Sequence, residues 1–227
     1  MKLVMTLCVL LIALPVYAGT WKDDFENEKD FTKDRDEGVW IEDISFYKWE
    51  KGSIKGTGQV NGADIITGDY AWEDYTVECR ISPLVISNYV GLIFRRTCTW
   101  CLPCYIFGLS NGNAVIYRDW FTLLDSSHFN VEMETWYSLK VIASGKRLEF
   151  YINNKLITKV EDSTYPVGKA GFVIFPDGMA LFDDFIMTGP KVKDGGHWNP
   201  KAHPQPKSVE PQSKLAITWG AMKITSR

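Results

Sequence analysis

Short alternating or apolar runs, separated by turn signals, fill the chain between residues 19 and 190. In YTVECRI (75–81), apolar residues alternate with polar ones, which is the period of a half-buried strand. Similar segments are VGLIFRR (90–96), CYIFGLS (104–110), NAVIYR (113–118), WYSLKVIAS (136–144), RLEFYIN (147–153), KLITKV (155–160), KAGFVIF (169–175) and MALFDDFIMT (179–188). No capped segment with a sustained period of 3.6 interrupts them. Many short strands with regular turns predict an all-β sandwich or barrel.

The first 18 residues have the pattern of a cleavable export signal. MKLVMTLCVLLIALPVYA contains one Lys, a short apolar run, a Pro and small residues before Gly19. The run is shorter than the roughly 20 apolar residues that a transmembrane helix needs. The sequence therefore predicts a signal peptide at 1–18, a secreted or periplasmic protein, and no membrane span.

The composition changes after Thr188. The segment GPKVKDGGHWNPKAHPQPKSVEPQ contains five of the ten prolines, and such a density blocks helices and sheet ladders. We therefore expect a folded domain at 19–189 and a Pro-rich linker at 190–213. The remaining residues, 214–227, could dock on the domain, form a helix or serve as an export or sorting tag.

Charge and aromatic content narrow the range of partners. The whole chain has a net charge of −3, and removing Lys2 with the signal makes it −4. This balance excludes an electrostatic nucleic-acid binder, which would have a basic stripe. Nine Trp and ten Tyr residues favour a protein that handles sugars, because the C–H faces of sugars pack on aromatic rings.

The order of several motifs resembles the concanavalin A-like lectin and glucanase superfamily. WKDDF, GDYAWEDYTVECRI, VGLIFRR and the closing LFDDF are similar to the strands of laminin-G-like jelly rolls and of 3-keto-disaccharide hydrolase-like domains. The resemblance covers residues 21–189. It implies an all-β jelly-roll sandwich of two antiparallel sheets, a fold that carries lectins, glucanases and adhesion modules.

No motif in the chain indicates catalysis. The E-x-D-x-x-E signature of the glucanases in this superfamily is absent, and the nearest approach, Glu132 and Glu134 in VEMETWY, is expected in a solvated loop. Within the predicted domain, His128 is the one histidine available as a base, and it lies in a polar stretch without a nucleophile motif.

The resemblance places the ligand site on the concave sheet and its rim. Arginines there could donate forked hydrogen bonds to sugar hydroxyls or uronate carboxylates, and aromatic rings could supply a stacking face. The candidates are Arg95, Trp100, Tyr105, Tyr117, Arg118 and Trp120.

Paired aspartates near both ends of the domain suggest a structural calcium ion. In the resembling jelly rolls the first and last strands are neighbours, and several relatives bind Ca²⁺ there. Asp24 and Asp183 are the candidate ligands, because Ca²⁺ prefers carboxylate and carbonyl oxygens. The alternative is that the aspartates only cap strand ends or face solvent.

Four of the five cysteines lie between Cys79 and Cys104, and three of them form CTWCLPC (98–104). A four-cysteine zinc site is disfavoured, because the paired C-x-x-C spacing is missing and Cys79 is in phase with a buried strand face. The resemblance places 97–104 in a hairpin turn between two strands. It therefore favours a Cys98–Cys104 disulfide, with any second bridge left open.

The leading hypothesis is a secreted, non-catalytic module that binds carbohydrate or another extracellular polymer. The first alternative is a glycoside hydrolase of the 3-keto-disaccharide hydrolase-like type that acts on oligosaccharides. The second alternative is a protein-binding adhesion module. No cofactor is required in any of these hypotheses, apart from the possible structural calcium.

Overall fold

The computed structural model describes residues 18–99 and 101–201. Most of the predicted signal peptide, Trp100, and the chain from residue 202 onward lie outside the described residues. One helix is present in the described part, α1 (Glu28–Asp36), together with a short 3-10 turn at Ile44–Phe46.

The strands, in chain order, are β1 (Gly19–Asp23), β2 (Ile41–Glu42), β3 (Tyr47–Trp49), β4 (Ile54–Thr57), β5 (Ala63–Thr67), β6 (Thr76–Val85), β7 (Tyr89–Arg96), β8 (Tyr105–Ser110), β9 (Asn113–Arg118), β10 (Thr122–His128), β11 (Tyr137–Ser144), β12 (Arg147–Ile152), β13 (Lys155–Glu161), β14 (Lys169–Ile174), β15 (Met179–Gly189) and β16 (Gly195–His197).

The strands form two sheets packed face to face. The seven-stranded sheet has the order β10-β9-β8-β7-β14-β5-β2. The nine-stranded sheet follows the order β13-β12-β11-β6-β15-β1-β16, with β4 also pairing β15 and β3 pairing β4. Apart from the parallel β1–β16 pair, the pairings are antiparallel. The predicted all-β jelly-roll sandwich is confirmed.

The core between the sheets is rich in stacked aromatic rings. Phe172 of β14 stacks on Phe182 of β15 at 4.3 Å between ring centroids, and on Trp40 at 5.5 Å. Phe185 packs edge-on against Trp40 at 5.2 Å. Because side chains alternate along a strand, these rings lie on the face of each sheet that is turned toward the core, where they pack against one another and connect the two sheets.

Helix α1 was not anticipated from the sequence. Its start is fixed by Asn27, whose side chain accepts a hydrogen bond from the Lys29 amide. Acidic residues occupy its first turn and basic residues its last, which suits the helix dipole. The helix has only nine residues and packs through Phe31 against Phe25, so its apolar stripe is too sparse to show a period.

The folded domain continues beyond the predicted boundary at residue 189. Val192 is buried in the core, and β16 pairs in parallel with β1. The Asp24 amide also donates to the His197 carbonyl at 3.0 Å. The first residues of the predicted linker are therefore part of the sandwich.

Among the described residues, no helix has both the length and the apolar character needed to cross a membrane.

Several carboxyl groups are buried within the sandwich. Asp23 is 2% exposed and accepts hydrogen bonds from the Trp40 indole at 3.0 Å and the Phe25 amide at 3.1 Å. Burial raises its pKa from 3.8 to about 7. Burial likewise raises the pKa of Asp64 and of Asp183 to about 7. The folded chain therefore binds protons more tightly than the unfolded chain over this range.

We expect the free energy of unfolding to fall as the pH rises from about 4 to 8. A carboxyl group whose pKa is raised by folding contributes stability that is full below its unfolded pKa and is lost as the pH passes its folded pKa. Asp23→Asn should make this dependence less steep, whereas Asp36→Asn on the exposed helix end should not. Urea unfolding at a series of pH values measures the slopes, and equal slopes for Asp23→Asn and wild type would contradict the assignment.

Candidate functional site

The seven-stranded sheet is apolar on both faces. Its inner face joins the core, whereas a second buried cluster covers the outer face, which points away from the nine-stranded sheet. Tyr89 of β7 contributes to this cluster, and its ring packs at a tilt against Tyr117 at 5.2 Å and edge-on against Phe175 at 5.0 Å. Its hydroxyl donates to the carbonyl of Trp120 at 3.2 Å, which ties the turn after β9 down onto the sheet.

Trp120 covers the end of this cluster and needs a glycine beneath it. The indole is 7% exposed. A Cβ at Gly62 would lie 2.6 Å from the Trp120 ring, and Gly62 adopts a φ of +80°, a region that L side chains rarely adopt. The indole therefore lies directly on the backbone at the start of β5.

Beside Trp120 the buried cluster on the outer face ends, and a cavity of about 720 Å³ follows, called here the outer-face cavity. Its size is within the range of small-molecule sites. The lining residues combine three charged side chains with an apolar wall. They are Asp43, Phe46, Gln59, Val60, Asn61, Gly62, Asp64, Arg96, Cys101, Leu102, Trp120, Phe121, Phe175 and Pro176.

Asp64 and Arg96 form a buried ion pair in this wall. Arg96 Nη2 lies 3.6 Å from Asp64 Oδ2, and the two side chains are 4% and 6% exposed, respectively. Asp43 adjoins the pair, since its Oδ2 accepts from the Asp64 amide at 3.3 Å and its own amide donates to the Asp64 carbonyl at 3.0 Å. Within the described part of the chain, Arg96 Nη1 and Asp64 Oδ2 have no hydrogen-bond partner. The pair thus keeps one unsatisfied donor and one unsatisfied acceptor, both buried in the cavity wall.

The rim of the cavity is apolar and exposed. Val60, Leu102 and Phe121 are 87%, 55% and 71% exposed. The Phe121 ring packs edge-on against Phe175 at 6.4 Å, so it is supported from one side. A supported and accessible ring is what a sugar face requires for stacking.

A disulfide loop forms another part of the wall. The structure pairs Cys98 with Cys101, with 5.8 Å between their Cα atoms, so the predicted bridge within the heptapeptide exists but the predicted partner Cys104 is wrong. Cys104 lies on the covered outer face, fully buried and free, as is Cys79 in the core. The Arg96 Nε donates to the Cys98 carbonyl at 3.2 Å, which connects the loop to the ion pair.

The outer-face cavity has a neighbour that is lined by residues of the nine-stranded sheet. A second cavity of about 490 Å³ shares Phe46 and Gln59 with the first. Its other lining residues include Trp49, Lys55 and Met179. The two cavities therefore adjoin at Phe46 and Gln59.

Two of the predicted ligand residues lie on the inner side of the seven-stranded sheet. Arg95 is fully buried, and its Nη1 donates to the carbonyls of Gly145 at 2.8 Å and Tyr165 at 3.2 Å. Tyr105 is also fully buried, and its hydroxyl donates to Asp162 at 2.6 Å. Both side chains hold loops together and neither faces the outer-face cavity, which corrects their predicted placement.

Of the remaining predicted ligand residues that the structure describes, Trp120 lines the outer-face cavity, whereas Tyr117 and Arg118 do not. Tyr117 packs in the outer-face cluster without lining the cavity, and Arg118 is paired with Asp162 at 2.9 Å. Trp120 does line the cavity, although mostly as a buried support. Trp100 lies outside the described residues. The residues that form the cavity's polar centre and exposed ring, namely Asp64, Arg96 and Phe121, were missed.

Asp24 and Asp183, the predicted calcium ligands, each have other polar partners in the structure. Asp24 accepts hydrogen bonds from the amides of Glu26 and Asn199. Asp183 lies 3.4 Å from the Arg80 guanidinium, a cation that opposes a second one. Among residues 18–99 and 101–201, no group of three or more His, Cys, Asp or Glu side chains is placed to hold a metal ion. Calcium binding stays a prediction.

The sheet order and the two antiparallel layers define the concanavalin A-like jelly-roll fold. The carbohydrate binding module CBM66 from Bacillus subtilis has this fold, with a TM-score of 0.57 and 17% identity over 65% of this chain and 93% of that one. A Bacillus subtilis protein of unknown function with a galectin-like fold has a TM-score of 0.54 and 16% identity over 76% and 96% of the two chains. An alginate lyase from a Corynebacterium species has a TM-score of 0.51 and 10% identity over 66% and 83%. No protein-family model and no curated protein sequence matches the chain.

The cysteine pairing can be tested on a chain that begins at Gly19. We expect two free thiols after denaturation without reductant, and none reactive in the folded state, because Cys79 and Cys104 are buried. Cys104→Ser should leave one free thiol, since the Cys98–Cys101 bridge is intact. Three free thiols in Cys104→Ser would instead indicate a Cys98–Cys104 bridge. Titration with an aromatic disulfide reagent gives the counts.

Replacing Arg95 should affect stability. Arg95→Ala removes charged hydrogen bonds to two loop carbonyls and leaves a cavity, so we expect the free energy of unfolding to fall by about 2–5 kcal/mol. Arg118→Ala, which removes a more exposed pair, should cost less than about 1 kcal/mol. Urea unfolding of both variants measures this, and equal losses would contradict the buried role of Arg95.

Proposed function

We propose that the protein is a secreted, non-catalytic module that binds carbohydrate in the outer-face cavity. The observation that carries this proposal is the pairing of an exposed, supported ring, Phe121, with the buried Asp64–Arg96 pair in one cavity. Sugars are recognised by these two kinds of group together, a ring face for the C–H groups and a few fixed polar atoms for the hydroxyls. The solved carbohydrate binding module with the same fold supports the proposal.

Phe121 supplies the stacking surface in this proposal. Its ring is largely exposed, while Trp120 beside it is buried and fixes the position of the turn. A sugar that lies on Phe121 would direct its hydroxyls toward Arg96 and Asp64 at the base of the cavity. These polar groups are already held in place, so binding costs little side-chain entropy.

The second cavity favours an oligosaccharide over a single sugar. A chain held at Asp64 and Arg96 can pass Phe46 and Gln59 and contact Trp49 in the neighbouring cavity. Secretion remains part of the proposal and is supported by the disulfide, which persists in oxidising compartments.

A glycoside hydrolase is the second candidate function. Burial raises the pKa of Asp64 to about 7, as an acid catalyst requires, and Asp43 is a second carboxyl group in the same cavity. The binding function is preferred because Asp64 is already paired with Arg96 and almost fully buried. A protein-binding adhesion module, the third possibility, would use the apolar rim alone.

A glycan array followed by calorimetry tests the binding function. We expect Phe121→Ala to weaken binding by about 0.5–1.5 kcal/mol, a loss of roughly 2- to 13-fold in affinity, because the stacking surface is removed. Leu156→Ala is the matched control, since Leu156 is an exposed apolar residue on β13. Absence of binding to every glycan, or wild-type affinity in Phe121→Ala, would rule out the proposal.

The same glycans separate binding from hydrolysis. We expect no release of reducing sugar during long incubation with the wild-type protein. Release that Asp64→Asn abolishes would establish the hydrolase in its place.

A further inference from the structure

We infer that the outer-face cavity selects uncharged sugars and rejects uronates. The inference rests on the proposed carbohydrate-binding function and names the chemical class of the ligand. It depends on the charges of three side chains, Asp43, Asp64 and Arg96, and on one unsatisfied atom each of Asp64 and Arg96.

The cavity already contains more negative than positive groups. Asp43 and Asp64 are its two carboxyl groups and Arg96 its one cation, within the described lining. Arg96 lies 3.6 Å from Asp64, so much of its charge is compensated before any ligand arrives. A uronate would add a third carboxylate to a cavity that has one guanidinium.

The unused atoms also match a hydroxyl better than a carboxylate. Arg96 Nη1 is a donor and Asp64 Oδ2 is an acceptor, and neither has a hydrogen-bond partner in the described part of the chain. Both atoms are buried in the cavity wall, where Asp64 Oδ2 lies 3.6 Å from Arg96 Nη2. A hydroxyl, or a pair of neighbouring hydroxyls, that reaches these buried atoms can satisfy both, because a hydroxyl donates and accepts. A carboxylate only accepts, so it would satisfy Arg96 and leave its negative charge beside Asp64.

Lys48 and Lys55 line the second cavity and not the outer-face cavity, and Lys55 is paired with Glu50 at 3.9 Å. Other arginines near the sheet do not change the balance in the outer-face cavity either. Arg95 points to the inner side and bonds two loop carbonyls, and Arg118 is held by Asp162 and Thr164. Neither lines the outer-face cavity. The rejection of uronates therefore comes from an unfavourable charge arrangement, which is a common way for binding sites to achieve specificity.

The test compares oligosaccharides of equal length that differ in the sugar acid. Glucose, mannose and galactose oligomers are paired with oligomers of glucuronic, mannuronic and galacturonic acid, and affinities are measured by calorimetry at pH 8 and low salt. We expect the wild-type protein to bind at least one neutral oligomer, and to bind its acid counterpart roughly tenfold more weakly or worse.

Two variants show whether the aspartates cause the selectivity. Asp64→Asn and Asp43→Asn each remove a carboxylate and keep an accepting oxygen. Each variant should therefore lower the ratio of the affinity for the neutral oligomer to the affinity for its acid counterpart several-fold. Asp36→Asn, at the exposed end of α1, is the charge-matched control and should leave the ratio unchanged. Asp43 is less buried than Asp64, so its variant keeps the test valid if Asp64→Asn does not fold.

The outcomes distinguish the selectivity from the function. A uronate oligomer that binds as tightly as its neutral counterpart, or more tightly, overturns the inference while carbohydrate binding stands. An unchanged ratio in a folded Asp43→Asn or Asp64→Asn variant also overturns it. If no oligomer of either kind binds, and the glycan array is negative too, the proposed function fails and the inference fails with it.

Discussion

The seven-stranded sheet is apolar on both faces, and the rest of the structure depends on how its second face is covered. One face is buried against the nine-stranded sheet, as in any sandwich. The other is covered by its own large side chains and by the turn that carries Trp120, which fits only because Gly62 has no side chain. Apolar surface of this extent would otherwise be exposed to water at a considerable cost in free energy.

The candidate site is the place where that cover ends. Trp120 marks the last buried ring, and Phe121, the next residue in the chain, is exposed. Asp64 and Arg96 are buried in the cavity wall, and one polar atom of each has no hydrogen-bond partner among the described residues. Burial also strengthens the electrostatic interaction between Asp64 and Arg96, because the local dielectric is low where water is excluded.

Strand alternation was enough to predict the fold class, and it also explains the main error in the site. Strict alternation along VGLIFRR would direct Arg95 to the concave face. The structure has a bulge there, with Arg95 at a φ of +49° and a register shift against β14. A one-residue insertion reverses the facing of the residues after it, so Arg95 enters the core and Arg96 meets Asp64. No composition or periodicity in the sequence reveals a bulge at that position.

Other features that the sequence analysis missed also have local causes. Helix α1 had a readable signal, Asn27 followed by acidic and then basic residues, but its apolar positions are few. Phe121 follows Trp120 in a turn, and the sequence does not indicate which of two adjacent rings is buried. The Asp64 pairing joins β5 to β7, two strands separated by β14, so the contact depends on the sheet order.

The equal spacing of the three cysteines in CTWCLPC has a consequence for how they pair. In the unfolded chain Cys101 is three residues from both Cys98 and Cys104, so spacing alone gives it two equivalent partners. In the folded chain Cys104 is buried within the outer-face cluster, so only Cys98 remains accessible to Cys101. The position of β8 in its sheet therefore accounts for the pairing in the folded chain, because it buries Cys104 and leaves Cys98 within bonding distance of Cys101.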